Sequence, residues 1–143
     1  MRMVALLALA SAIAGCARGV HATTAAAASA ALAKNPASAS DGAVIYLANC
    51  SSCHQTDGKG VPGAFPPLAG NAVVTGSPVV PISIVKNGLE GRIVVNGQTY
   101  SGIMPRWKGL LSDEQMASVT SYIRSSWKNH AGGVSISDVE SVK

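Results

Sequence analysis

Two cysteines and a histidine in the segment Cys50-Ser51-Ser52-Cys53-His54 constrain this chain more than any other feature of it. In a helix, the C-x-x-C spacing places the two thiols about one turn apart. A zinc site would need four ligands, usually from two such pairs, and the other candidates, Cys16, His21 and His130, are remote or unsuitable. A thioredoxin-like dithiol needs a βαβ setting, and no such alternation surrounds Cys50. The segment therefore requires another chemical explanation.

The same five residues form the attachment signature of a c-type haem. Each thiol adds across one vinyl group of the porphyrin, so that Cys50 and Cys53 together tether the ring. The adjacent His54 then lies under the ring as the proximal iron ligand. The sequence therefore predicts one haem c, covalently bound through Cys50 and Cys53.

The region from Asp41 to about Asn129 resembles a class I c-type cytochrome, which binds one haem with His and Met ligands. It is most similar to the cytochrome domains that serve bacterial respiratory and periplasmic oxidoreductases. The segments that carry the resemblance follow the family's order: Asn49–His54, Gly58–Gly60, Phe65–Asn71, Gly102–Pro105 and a terminal helix closing on Ser126-Trp127. The attachment motif is highly specific, whereas each of the other segments is a modest signal.

The resemblance implies an all-α fold of about four helices with a small β-hairpin. We expect the first helix to begin at Asp41 as its N-cap and to lead directly into the haem motif. Family members cross this helix against the C-terminal one at a glycine, and Gly42 matches that glycine. Tyr46 is interpreted as a core aromatic residue at the same crossing.

Local patterns place the remaining elements. A short helix is predicted from about Pro81 to Asn87, stopped by Gly88, because Pro81 would disturb the first turn of a helix that began earlier. Residues 92–100 favour a hairpin on an Asn-Gly turn. Ser112 and Gln115 match a capping box, so the last long helix should run from there to about Trp127.

Met104 is the predicted sixth ligand of the iron. It lies in an irregular Gly-x-Met-Pro segment well after His54, which suits a ligand that arrives from the opposite side of the ring. Met116 is spaced to face the core of the last helix, and Met1 and Met3 leave with the signal segment. His130 is the main rival for the sixth position.

Two further site residues come from the resemblance. A Pro-x-Leu element in the family gives its proline carbonyl to the Nδ1 proton of the proximal histidine. Pro66 and Leu68 match that element, with Leu68 packing on the haem and Pro67 as the acceptor if the register differs by one. This hydrogen bond would orient the imidazole and raise its basicity.

The N-terminal residues predict an exported lipoprotein. Residues 1–15 carry one basic residue and an apolar run of signal-peptide length, and Ile13-Ala14-Gly15-Cys16 resembles the bacterial lipoprotein box. Lipidation at Cys16 would anchor the protein to a membrane in the bacterial periplasm. The alternative is an ordinary signal peptide cut further on, which would leave a soluble periplasmic protein. Residues 16–40, rich in Ala and Ser, then form a flexible tether.

The charge distribution gives no support to nucleic-acid binding. From Asp41 onward, eight basic residues face seven acidic ones, and neither a basic stripe nor an aromatic platform is present. The domain is assigned to residues 41–130. Residues 131–143 are assigned to a C-terminal tail in which Ser137–Glu140 favour one short turn.

The resulting expectation is an electron carrier rather than an enzyme. It would exchange single electrons with a redox protein donor and acceptor, such as a dehydrogenase, oxidase or reductase. Two alternatives stay open. The chain is a haem-bearing subunit that acts only within a dehydrogenase, oxidase or reductase complex, or it is a haem enzyme or ligand sensor with an open sixth position.

Overall fold

The computed structural model describes residues 39–143. The predicted signal peptide, the candidate lipidation residue Cys16 and the tether up to residue 38 lie outside these residues. Among the helices of the described part, none is both long enough and apolar enough to span a bilayer.

Six helices and one two-stranded antiparallel sheet make up the described domain. In chain order the elements are α1 (Ala39–Asn49), α2 (Ser51–His54), α3 (Ala72–Thr75), α4 (Val79–Asn87), β1 (Leu89–Val95), β2 (Gln98–Met104), α5 (Asp113–Ser125) and α6 (Ile136–Ser141). The expected combination of helices and a small hairpin is confirmed. The expectation of about four helices omitted the short helices α3 and α6.

The crossing of α1 over α5 is the most extensive contact between the described helices. A Cβ atom on Gly42 would lie 2.7 Å from Cβ of Tyr122 and 2.8 Å from the carbonyl carbon of Ser118, so only glycine allows the helices to approach this closely. Tyr46 is fully buried at this crossing, and its hydroxyl donates a 2.6 Å hydrogen bond to the carbonyl of Gln55. The assignments of Gly42 and Tyr46 are confirmed.

Two helix starts differ from the sequence-based expectations. Helix α1 begins at Ala39, so that Asp41 lies in the first turn. There its negative carboxylate interacts favourably with the positive end of the helix dipole. Helix α4 begins at Val79 rather than at Pro81. Pro81 occupies the third helical position, where its missing N–H has no helical partner to lose.

The hairpin and the last long helix follow their local signals. Asn96 and Gly97 form the predicted turn with φ angles of 51° and 79°, but the strands extend beyond residues 92–100 and pair Leu89 with Met104. The predicted capping box is present between Ser112 and Gln115. Helix α5 ends at Ser125, two residues earlier than expected, because Ser126 adopts an extended conformation, and Trp127 follows with a positive φ of 51°.

The C-terminal segment, residues 131–143, packs on the domain. Val134, Val139 and Val142 are buried in the same apolar core as Met116, whose predicted core position is confirmed. A hydroxyl on α5 also holds the segment, since Ser121 Oγ accepts a 2.8 Å hydrogen bond from the Val134 amide. The predicted turn at residues 137–140 is part of helix α6.

Candidate functional site

The helical turn α2 brings the two cysteines and the histidine of the motif together. The amide of Cys53 donates to the carbonyl of Cys50 at 3.2 Å, and the amide of His54 donates to the same carbonyl at 2.9 Å. Both thiols are free and partly buried. The backbone therefore sets the thiols one turn apart, as attachment to two neighbouring vinyl groups requires.

The pKa of the Cys50 thiol argues against a redox dithiol. Burial, with a smaller contribution from the neighbouring Cys53, raises the pKa of the Cys50 thiol to about 11. Redox-active C-x-x-C motifs instead lower the pKa of their attacking cysteine to generate a thiolate. Cys50 is therefore protonated at neutral pH and is not poised for disulfide exchange.

His54 is buried, and a single hydrogen bond fixes its ring. Its Nδ1 lies 2.9 Å from the carbonyl oxygen of Pro66. A carbonyl only accepts, so Nδ1 must carry the proton and Nε2 keeps its lone pair. Burial lowers the pKa of His54, and the hydrogen bond to Pro66 opposes this shift only in part. The predicted contact with Pro66, rather than with Pro67, is therefore present, and the neutral imidazole offers Nε2 to a metal.

The loop between α2 and α3 folds back on the motif to place Pro66. The amide of Gly60 donates to the His54 carbonyl at 3.0 Å, and the amide of Leu68 donates to the Gly58 carbonyl at 2.7 Å. Gly60 has a φ of +65°, and a Cβ atom there would lie 2.7 Å from the Pro66 carbonyl oxygen. Glycine is required at this position because the main chain at Gly60 passes too close to the main chain at Phe65 and Pro66 for a side chain to fit.

Two residues just beyond the end of α5 support this loop, and neither was identified from the sequence as part of the site. Buried Asn129 donates from Nδ2 to the Leu68 carbonyl at 3.0 Å and accepts from the Gly70 amide at 2.9 Å. Trp127 donates from Nε1 to the Thr56 carbonyl at 3.0 Å. Asn129 also donates to the Ile123 carbonyl at 2.9 Å, but no local pattern marks it as a site residue, since its two partners on the loop lie about sixty residues away in the sequence.

Met104 lies half-buried at the end of β2 and packs against the core. Its main-chain position is set by Gly88, where a Cβ atom would lie 2.7 Å from the Met104 carbonyl oxygen. Leu68 is also half-buried against the core. His130, the rival ligand, is exposed beyond the end of α5.

Exposed apolar side chains occur on the segments that carry the site residues. Val61 and Phe65 on the loop that presents Pro66 are exposed, and Ile103, next to Met104, is 74% exposed. Such groups are costly to leave in water, and a large apolar ligand would cover them. The free thiols, the oriented imidazole and this apolar surface fit a covalently attached haem. Among the described residues, no three or more His, Cys, Asp and Glu side chains form a candidate metal cluster.

Comparison with known proteins gives one family for this chain. The cytochrome c family model matches residues 39–127, which include α1, the motif, the hairpin and α5. The cytochrome c subunit of the alcohol dehydrogenase (quinone) of Gluconobacter oxydans (strain 621H) is 43% identical over 105 residues, which are 71% of this chain and 22% of that subunit. Cytochrome c-552 of Thermus thermophilus is 43% identical over 91 residues, or 61% of this chain and 68% of that protein.

A third relative is the cytochrome c subunit of the gluconate 2-dehydrogenase of Pantoea cypripedii. It is 34% identical over 105 residues, which are 71% of this chain and 24% of that subunit. The matched part of this chain thus spans less than a quarter of the length of these two dehydrogenase subunits but about two thirds of cytochrome c-552.

Proposed function

The chain belongs to the cytochrome c family, and we propose that it carries single electrons on one haem attached through Cys50 and Cys53. The observation that carries this proposal is the buried His54, held by Pro66 with Nε2 free, directly beside two free thiols one helical turn apart. Haem c, when bound, supplies reversible exchange between ferric and ferrous iron.

The chain's own residues tether the group, orient its ligand and exclude water. Cys50 and Cys53 would form the two thioether bonds. The Pro66 carbonyl holds the His54 ring in one orientation and makes Nε2 a stronger donor. Gly60 allows the loop to fold closely enough to keep Pro66 in place. Leu68 would pack its apolar side chain against the ring.

Met104 is proposed as the second residue that would hold the haem iron, together with His54. A thioether is a soft donor that favours ferrous iron and therefore raises the reduction potential. With His54 and Met104 both holding the iron, the site would leave no position for a substrate and would favour electron exchange. This assignment separates a carrier from a haem enzyme or a ligand sensor with an open sixth position.

Optical spectroscopy and potentiometry of two methionine variants would test the assignment. Met104→Ala should give partly high-spin ferric iron, lose the weak near-infrared sulfur–iron charge-transfer band and lower the potential. Met116→Leu is the matched control, because it changes a buried core methionine at a cost under ~1.5 kcal/mol without touching the iron. A wild-type spectrum retained by Met104→Ala would move the ligand elsewhere, with His130 first in line.

A redox partner of the dehydrogenase class is proposed for this carrier. The relatives include cytochrome c subunits of an alcohol dehydrogenase and a gluconate 2-dehydrogenase, and these matches support a chain that accepts electrons from such an enzyme or forms one of its subunits. Co-purification from detergent-extracted membranes would distinguish the two. A stoichiometric dehydrogenase partner would support the subunit, and a monomeric cytochrome would support the free carrier.

A periplasmic location with a lipid anchor at Cys16 is also proposed. The support is the signal-like segment of residues 1–15, which ends in the Ile13-Ala14-Gly15-Cys16 box. Bacterial c-type haem is attached outside the cytoplasm, so an export signal and the C-x-x-C-H motif belong together. The bacterial modification supplies several acyl chains, which would anchor the protein firmly because one chain alone binds only marginally.

A further inference from the structure

A buried lysine joins the C-terminal segment to the last turn of α4. Lys86 is 7% exposed, and its Nζ lies 2.7 Å from the Val139 carbonyl and 2.6 Å from the Val142 carbonyl. The Val139 carbonyl lies in the last turn of α6, where it also accepts a longer 3.3 Å hydrogen bond from the Val142 amide, and the Val142 carbonyl belongs to the residue that caps the helix. A basic side chain at this end also meets the negative end of the helix dipole.

The same turn of α4 also holds the chain that follows Met104. The carbonyl of Val85 accepts a 3.0 Å hydrogen bond from the Trp107 amide, and the carbonyl of Lys86 accepts one of 3.0 Å from the Lys108 amide. Gly88, at the end of the turn, is the residue on which the Met104 carbonyl packs. Residues 104–108, here called the Met104 segment, are therefore attached to α4 through main-chain contacts on both sides of Lys86.

From this juxtaposition we propose that Lys86 is a positioning residue for the Met104 segment. Its side chain fixes the last turn of α4 against α6, and its main chain presents that turn to the Met104 segment. The C-terminal segment, beyond the end of the family match at residue 127, thereby restrains how easily Met104 leaves its place. The inference rests on the proposed ligation by Met104.

Arg124 provides a matched control for the loss of a buried basic side chain. It is 4% exposed, and its Nη1 donates to the carbonyls of Val74 and Gly76 at 2.7 and 2.9 Å, while Nε donates to that of Gly132. None of these acceptors belongs to α4 or to α6, and Gly132 precedes the part of the C-terminal segment that Lys86 contacts. Arg124→Met should therefore destabilise the fold as Lys86→Met does, without acting on the Met104 segment.

Hydrogen exchange of the holoprotein tests the positioning without relying on the iron. In Lys86→Met, the Trp107 and Lys108 amides should exchange about tenfold faster relative to the Val119 amide, because their acceptor turn has lost a charged hydrogen-bond donor. In Arg124→Met this ratio should stay at the wild-type value. Equal ratios in the two variants would overturn the proposal.

Competition by added imidazole tests the consequence at the iron. If Met104 holds the iron, added imidazole would bind there only when Met104 leaves, so its apparent affinity would rise with the fraction of molecules in which Met104 has left. Lys86→Met should bind imidazole about tenfold more tightly than wild type, whereas Arg124→Met should stay within about twofold. Val139→Ala, which loosens α6 while keeping Lys86, should also increase the imidazole affinity. It replaces Lys86→Met as the test variant if Lys86→Met does not fold.

The possible results distinguish the proposed ligation by Met104 from the proposed role of Lys86. A wild-type protein without the sulfur–iron band would overturn the Met104 ligation and, with it, the inference. A wild-type band together with equal imidazole affinity in Lys86→Met and Arg124→Met would overturn the role of Lys86 alone.

Discussion

Replacing Gly42 by alanine should destabilise the domain, although alanine is the better helix former. Gly42 is buried in α1 where that helix crosses α5. The added Cβ would meet the carbonyl oxygen of Ser118 and would lie 2.7 Å from Cβ of Tyr122. Carbon atoms in favourable contact are ~3.5–4.0 Å apart, so the helices would have to separate by roughly 1 Å. Neither neighbouring atom can rotate away, because one is main chain and the other is a Cβ.

The expected size of the effect follows from two opposing contributions. Overpacking a close contact lowers the free energy of unfolding by up to ~3 kcal/mol. The higher helix propensity of alanine raises it by ~1 kcal/mol. The net loss is therefore ~2 kcal/mol in the free energy of unfolding, which lowers the melting temperature of a domain of this size by roughly 8–16 °C. The haem spectrum should not change, because Gly42 lies about two helical turns before Cys50.

Thermal unfolding of the holoprotein, followed by far-ultraviolet circular dichroism, measures this loss. Gly132→Ala is the matched control, since nothing lies within 4 Å of a Cβ at that exposed position. The control should melt within a few degrees of wild type, as expected for a surface substitution. If Gly42→Ala melts at or above the wild-type temperature, the close crossing described here is wrong.

Three further predictions concern attachment, loop support and anchoring. Cys50→Ala and Cys53→Ala should each reduce covalent haem on stained gels. Cys53→Ala should be the more severe, because it also frees the turn that holds His54. Staining that survives the double replacement would refute the attachment site. Asn129→Ala should lower the free energy of unfolding in urea by ~2–4 kcal/mol, since it leaves buried main-chain groups unpaired, and a loss below ~1 kcal/mol would contradict its supporting role. Cys16→Ser should release a soluble form or leave an uncleaved precursor while haem attachment continues. Mass spectrometry of the mature wild-type N-terminus checks this, and an unmodified chain starting beyond residue 20 would favour the ordinary signal peptide.

Features encoded by residues close together in the chain were predictable from the sequence alone. The spacing of Cys50, Cys53 and His54 produces one helical turn because each of its hydrogen bonds spans only three or four residues. The Asn-Gly hairpin turn and the capping box at Ser112 are local in the same sense. Helix starts were predicted less accurately, since α1 begins two residues before its expected N-cap, Asp41, and α4 begins two residues before its expected first residue, Pro81.

Only the tertiary structure decided which distant groups meet. Proline carbonyls at residues 66 and 67 look equivalent in sequence, and the folded loop selects Pro66 for His54. Lys86 and the Val139 carbonyl are 53 residues apart, and Asn129 and the Leu68 carbonyl are 61 apart. Such contacts depend on how the helices pack, and no short pattern records that packing. The sequence by itself therefore determined the chemistry of the site, while tertiary packing determined the groups that orient His54 and hold the Met104 segment.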